Sequence, residues 1–222
     1  MRRILVVAPH ADDESLGCGG TLLRHKADGD ETHWLLLTQG DGLPGMTPER
    51  LNRRKAEIKE VSKAFGFSQV HEAGLPATQL DALPLSELVG TISNIIKKVE
   101  PHTIYLPHES DVHSDHRVAF EATAACTKWF RYPSVKRVLA YETLSETDFG
   151  LSTTAQAFQP NTFVDISSYL ERKIKILQLY QGELGEFPFP RSEETVRALA
   201  TLRGAAAGVL AAESFVLLKD IL

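Results

Sequence analysis

Cysteine is scarce: Cys18 and Cys126 are the only two in 222 residues. They stand far apart, each in an apolar, helix-like stretch, and read as reduced, buried thiols of a cytoplasmic protein. Long hydrophobic runs are missing too. The run after "MRR" lasts about five residues, short of the ~7–15 of a signal-peptide core. No stretch approaches the ~20 apolar residues of a membrane span. Charge of one sign is not in excess either. The formal net charge is −5, so neither nucleic acid nor an anionic membrane is expected as a partner. Repeats and low-complexity tracts are also absent. What remains is 43% hydrophobic and 24% charged, the balance of one ordinary domain over residues 1–222 with a sizeable core.

Apolar runs bounded by turn residues alternate with segments of 3.6-residue period. Strands are expected at Ile4–Ala8, Thr32–Thr38, Gln69–Ala73, Thr103–Leu106, Arg137–Tyr141 and over "TFVDIS". Helices are expected at about Ser15–Ala27, Leu85–Val99, His116–Phe130 and Glu193–Ala212, and over "SSYLERKIKILQLYQ". A further helix has Thr47 as cap, Pro48 at its first position and Gly66 at its end. "QGDGLPG" reads as the turn closing the second strand. The alternation implies an α/β fold with a mostly parallel sheet and helices on both faces. Ligands of such sheets bind at the carboxyl ends of the strands.

Two polar clusters fall at that edge. "PHADDE" follows the first strand and sets His10 three residues before Asp13. "HSDH" follows the fourth and sets His113 three before His116. Two histidines and a carboxylate from separate turns form the open three-ligand set of a catalytic zinc. His10, Asp13 and His116 are the candidate ligands, for one Zn2+ per chain, although the same set also serves Fe2+. Asp12 is then placed to act as general base on a metal-activated water, or merely to cap the following helix. His113 is placed to stabilise an oxyanion or protonate a leaving group, and Asp115 to fix that imidazole's tautomer. Gly17, Gly19 and Gly20 read either as a phosphate-cradling turn or as close helix–sheet packing. They lack the lysine of a P-loop and the full G-x-G-x-x-G. His25, His33, His71 and His102 read as solvated.

Arg54 falls on the apolar stripe of Leu51, Ile58, Val61 and Phe65, whereas Arg50, Arg53 and Lys55 fall off it. A guanidinium there needs a carboxylate or a polar pocket. It is either a structural ion pair or a site group that orients Asp12 or binds substrate.

These residues resemble a known family. "PHADDE" is similar to the A-H-P-D-D-E motif of the PIG-L/LmbE-like zinc deacetylases, and "HSDH" to their H-P-D-H. "LLLTQGDG" resembles their second-strand turn, and "RKAEIKEVSKAFG" their R-x-x-E-x-x-x-A-x-x-x-L-G, which selects Arg54 and Glu57. "RGAAAGVLAAESF" resembles their C-terminal helix. The resemblance implies a Rossmann-like fold and zinc-dependent removal of an N-acetyl group from an amino sugar or sugar conjugate. It implies His10, Asp13 and His116 as ligands, Asp12 as base, and His113 supported by Asp115. "YETLSETDFG" and "FPFPRSEE" are expected to line the substrate pocket. A homo-oligomer stays possible. Two other readings stay open: a metallo-β-lactamase-like hydrolase, since "DVHSDH" is one residue from H-x-H-x-D-H, and a sugar- or nucleotide-binding module without catalysis.

Overall fold

The computed structural model describes all residues except 41, 42, 44 and 152–156. Part of the expected "QGDGLPG" turn lies outside the described residues.

The apolar run "RILVVA" forms β1 (Arg3–Ala8). Its side chains alternate between the two faces of the sheet: Ile4, Val6 and Ala8 enter one core, Leu5 and Val7 the other. Strands β2 (Glu31–Gln39), β3 (Gln69–Pro76), β4 (Thr103–Pro107) and β5 (Arg137–Tyr141) are joined by helical crossovers and lie parallel. Their helices are α1 (Asp13–Ala27), α2 (Pro48–Phe65), α3 (Leu85–Val99) and α4 (Ser114–Ala125). The first core takes side chains from α1 and α2, the second from α3 and α4. With β6 (Thr162–Asp165) and β7 (Ala212–Asp220), a single seven-stranded sheet lies between helices, in the order β3-β2-β1-β4-β5-β7-β6. The expected fold class is what forms, and no second sheet packs on it among the described residues, as a metallo-β-lactamase-like sandwich requires. Strand order reverses between β1 and β4, so the crevice beyond their carboxyl ends is the natural ligand site.

The C-terminal half departs from expectation. Helix α6 (Glu193–Ala207) stops at Gly208, whose φ of 73° is a left-handed cap. The "AAESF" segment then runs out as β7 (Ala212–Asp220), antiparallel to β5 and to β6 (Thr162–Asp165). The chain turns back tightly over Gly204, where an added Cβ would sit 2.7 Å from the Val209 carbonyl oxygen. Helix α4 ends at Ala125 rather than Phe130, and α5 (Leu170–Leu177) is shorter than its apolar pattern.

Glycines Gly17 and Gly20 serve packing. A Cβ at Gly17 would lie 2.2 Å from the Tyr141 ring, and one at Gly20 would lie 2.6 Å from Ile166. Helix α1 breaks at Cys18 (φ −143°, ψ 21°). Beyond the break, the Gly20 and Thr21 amides donate to the Glu213 carboxylate at 2.9 and 2.7 Å. Lys173 Nζ balances that buried charge at 2.7 Å. Both cysteines are free and buried, as expected. His33 and His71 are not solvated: both are buried, their rings stacked with centroids 5.6 Å apart. Among the described residues no helix is long and apolar enough to cross a membrane.

Candidate metal centre and substrate pocket

Two strand ends build the site. After β1, the Pro9 carbonyl accepts hydrogen bonds from the Thr38 amide and hydroxyl, at 3.1 and 2.7 Å, which fixes where the chain leaves the sheet. The His10 amide donates to Asp13 Oδ2 at 2.8 Å. Between them Asp12 takes a φ of 149° without capping α1 through its side chain. That is a strained backbone for a residue with a Cβ, of the kind that clusters at functional sites. Glu14 braces it: its buried carboxylate accepts from the Asp12 amide at 3.2 Å and from the Tyr180 hydroxyl at 2.7 Å. Burial pushes Glu14 up to about 7 against the pull of the Ser15 and Tyr180 hydroxyls. After β4, the His113 ring caps α4, its Nδ1 accepting from the Asp115 amide at 3.1 Å, and His116 lies in the first turn.

This brings His10, Asp13 and His116 together with donor atoms within 4.8 Å of one another. His10 Nδ1 lies 3.4 Å from Asp13 Oδ2, and His116 Nε2 lies 3.2 Å from it. The far nitrogen of each ring is held by a carboxylate. His10 Nε2 meets Asp115 Oδ2 at 3.0 Å, and His116 Nδ1 meets Asp111 Oδ2 at 2.8 Å. Outer carboxylates of this kind fix the tautomer and aim the inner nitrogen at a metal. Asp115 therefore does not support His113 as expected. Its carboxylate accepts from the Thr78 and Leu80 amides at 2.7 and 3.0 Å and reaches His10, while only its backbone meets His113. Asp111 was missed, although it stands in the quoted "DVHSDH" five residues before His116.

The donor set fits a cation. Asp13 Oδ1 and His116 Nε2 are buried and make no hydrogen bond, an arrangement that is costly unless something else meets them. A second trio, His10, His113 and Asp115, is equally close. Its carboxylate oxygens already accept two amides and a histidine, so it fits a metal less well. The electrostatics agree. Burial opposes charge on His10 and His116, yet their carboxylates outweigh it and raise them to about 9 and about 10. Burial also opposes charge on Asp13, but the two histidines hold it well below the carboxylate range. The cluster stabilises positive charge. His113 goes the other way, lowered by burial and by its histidine neighbours.

Beside the cluster opens a cavity of about 310 Å³. His10, Asp12 and His113 line it, together with the apolar Leu43, Met46, Leu51 and Ile58. Arg54 lines it but does not reach Asp12. Its guanidinium donates to the Ala11 carbonyl at 3.3 Å, pairs with Glu183 and lies over the Tyr180 ring. The group that does hold Asp12 is Arg191, at 2.6 Å from Oδ2. Arg191 also meets Glu146 at 3.1 Å and the Ser145 hydroxyl at 2.7 Å. Neither Arg191 nor Glu183 was singled out, although "FPFPRSEE" and "YETLSETDFG" were expected to line the pocket and supply Arg191 and Glu146.

The comparisons with known proteins meet this geometry. The sequence model of the PIG-L family, described as GlcNAc-PI de-N-acetylase, matches residues 5–127, which include both ligand turns. The diacetylchitobiose deacetylase of Thermococcus kodakarensis is 26% identical over 219 residues, covering 94% of this chain and 80% of that protein. Among solved structures, the conserved protein TT1542 of Thermus thermophilus is 30% identical with a TM-score of 0.80, covering 100% of this chain and 97% of that one. The 4-carboxy-2-hydroxymuconate hydratase of Pseudomonas putida KT2440 is 18% identical with a TM-score of 0.78, covering 100% and 98%. That last likeness shows the fold alone, and it shows that the fold hosts more than one chemistry. Because the family match runs from β1 through α4, over more than half of the 222 residues, the chain belongs to the PIG-L family.

Proposed function

We propose that this chain is a zinc-dependent hydrolase that removes the N-acetyl group from an N-acetylated amino sugar or sugar conjugate. The observation that carries the reading is that two non-ligand groups, Asp12 and His113, line the same cavity as His10 of the His10–Asp13–His116 cluster. The match to a deacetylase along nearly the whole chain supports it. A binding module has no use for a base and a proton donor beside a metal site.

His10, Asp13 and His116 would hold the metal, with Asp115 and Asp111 fixing the two rings. Bound zinc would supply Lewis acidity for an amide carbonyl, a poor electrophile by itself. Asp12 takes a proton from the attacking water, with Arg191 keeping its carboxylate turned to the cavity. His113 accepts a backbone N–H at Nδ1 and so carries its own proton on Nε2. It donates a hydrogen bond from Nε2 to the developing oxyanion, while the proton that Asp12 took from water passes on to the departing amine. Water adds to the carbonyl carbon, the C–N bond breaks, and acetate and the free amine leave. The two unpaired thiols suit a reducing cytoplasm.

The test is metal content together with acetate release. Wild-type protein is expected to bind one zinc per chain and to release acetate from N,N'-diacetylchitobiose. His116→Ala is expected to lose both properties. Two metals per chain, a requirement for iron(II), or no acetate from any N-acetylated amino sugar by zinc-loaded protein would overturn the reading.

A further inference from the structure

Two guanidiniums reach the cavity, and a planar guanidinium is the usual partner for a substrate carboxylate or phosphate. Neither is free to take one. Arg191 already meets Asp12 at 2.6 Å, Glu146 at 3.1 Å and Glu183 at 3.4 Å. Arg54 meets Glu57 at 3.4 Å and pairs closely with Glu183. Glu183 is the carboxylate that bridges both, and it does so from the turn after α5, one residue beyond Gly182. Its side chain is 29% exposed, against 6% for Glu57 and 5% for Asp12. Glu146 is 11% exposed, so Glu183 is the most open of the four carboxylates to an incoming substrate. An anionic substituent entering between the arginines finds a carboxylate in its place, and like charges brought together there repel. A sugar hydroxyl meets no such barrier. It can accept from a guanidinium N–H and donate to a Glu183 oxygen at once.

We infer that Glu183 makes this pocket selective for uncharged N-acetylated saccharides, against conjugates carrying phosphate or carboxylate. The inference rests on the deacetylase reading above. The test compares acetate release from N,N'-diacetylchitobiose with that from N-acetylglucosamine 1-phosphate and 6-phosphate, for wild type, Glu183→Gln and Glu183→Asp. Zinc-loaded wild type is expected to favour the uncharged sugar in kcat/KM by on the order of tenfold or more. Glu183→Gln keeps the shape, removes the charge, and is expected to move that ratio toward the phosphates by on the order of tenfold, through KM. Glu183→Asp keeps the charge and is expected to keep the preference, which separates charge from loss of folding. A wild type indifferent to phosphate, or a Glu183→Gln ratio equal to wild type, overturns the assignment. Calorimetric binding of the same sugars reads the preference without turnover. If no acetate appears, the deacetylase reading fails while binding still decides the role of Glu183, and a wild type that binds none of the sugars counts against it.

Discussion

At the scale of the residue, the site separates groups that hold a cation from groups that move protons, and substitutions should separate them too. Asp12 touches no ligand ring; its carboxylate goes to Arg191. Asp12→Asn keeps the shape and the hydrogen bond but cannot take a proton. Turnover is expected to fall by roughly 10²–10⁴-fold, with zinc content by elemental analysis unchanged. Loss of zinc along with activity would make Asp12 a ligand instead. Asp111 predicts the converse. Its Oδ2 holds the His116 ring while Oδ1 accepts from the Thr147 hydroxyl at 2.7 Å, so Asp111→Asn is expected to weaken zinc affinity by about 10–100-fold. Competition with a chromogenic chelator measures that shift, and excess zinc should restore most of the activity. What could be read in the sequence follows from the same distinction. His10 with Asp13, and His113 with His116, are neighbours along the chain, so spacing alone exposed them. Arg191 and Asp12 are 179 residues apart. Asp115 lies beside His116 yet serves His10, 105 residues away. Pairings at that separation are decided by how the strand ends converge, which no local pattern records.

At the scale of the element, α1 is where local and global demands conflict. The helix must start at Asp13 to aim a ligand, yet lie close enough to the sheet that Gly17 meets Tyr141 and Gly20 meets Ile166. The break at Cys18 reconciles the two, and Glu213 satisfies the amides that the break releases. Lys173 neutralises Glu213 and also donates to the Leu16 carbonyl at 2.8 Å, so it stitches both halves of the helix to α5. Removing one member of a buried pair strands the other's charge. Lys173→Met is expected to destabilise the fold by about 3–5 kcal/mol, read by denaturant unfolding. The double substitution with Glu213→Gln should recover part of that loss, and a single variant as stable as wild type would show that the amides alone suffice. This network also accounts for the error at the C-terminus. Glu213 sits in a run of alanines that extends the helical period of α6. Only Gly208 marks the stop, and the need for a strand there comes from β5, whose outer edge β7 covers.

At the scale of the whole molecule, the parallel part of the sheet carries the site at the ends of β1 and β4 and, at its β2–β3 edge, a pair of histidines. The buried pair His33 and His71 lies on neighbouring strands, with His71 Nε2 3.4 Å from His33 Nδ1. Burial lowers the pKa of His71 to about 4, and the positive potential of His33 and Lys98 adds to that. His33 is lowered by burial as well, although Glu31 pulls it the other way. The sign of the effect follows. An unfolded histidine binds its proton near pH ~6.5, whereas folded His71 does so only near 4. Above that unfolded value both states are neutral there and the pair leaves stability unchanged. As pH falls from about 6.5 toward 4 the unfolded chain takes up a proton that the folded one refuses, and the fold loses stability until both are protonated. Acid also releases the metal, but that loss is common to every variant with an intact cluster. The informative quantity is therefore a difference. His71→Leu is expected to lose about 2 kcal/mol less than wild type between about pH 7 and pH 4.5, measured by denaturant unfolding of the zinc-loaded proteins. Parallel stability curves for the two would mean that the pair opens to water before it titrates, and that the β2–β3 edge is not the acid-sensitive part of the sheet.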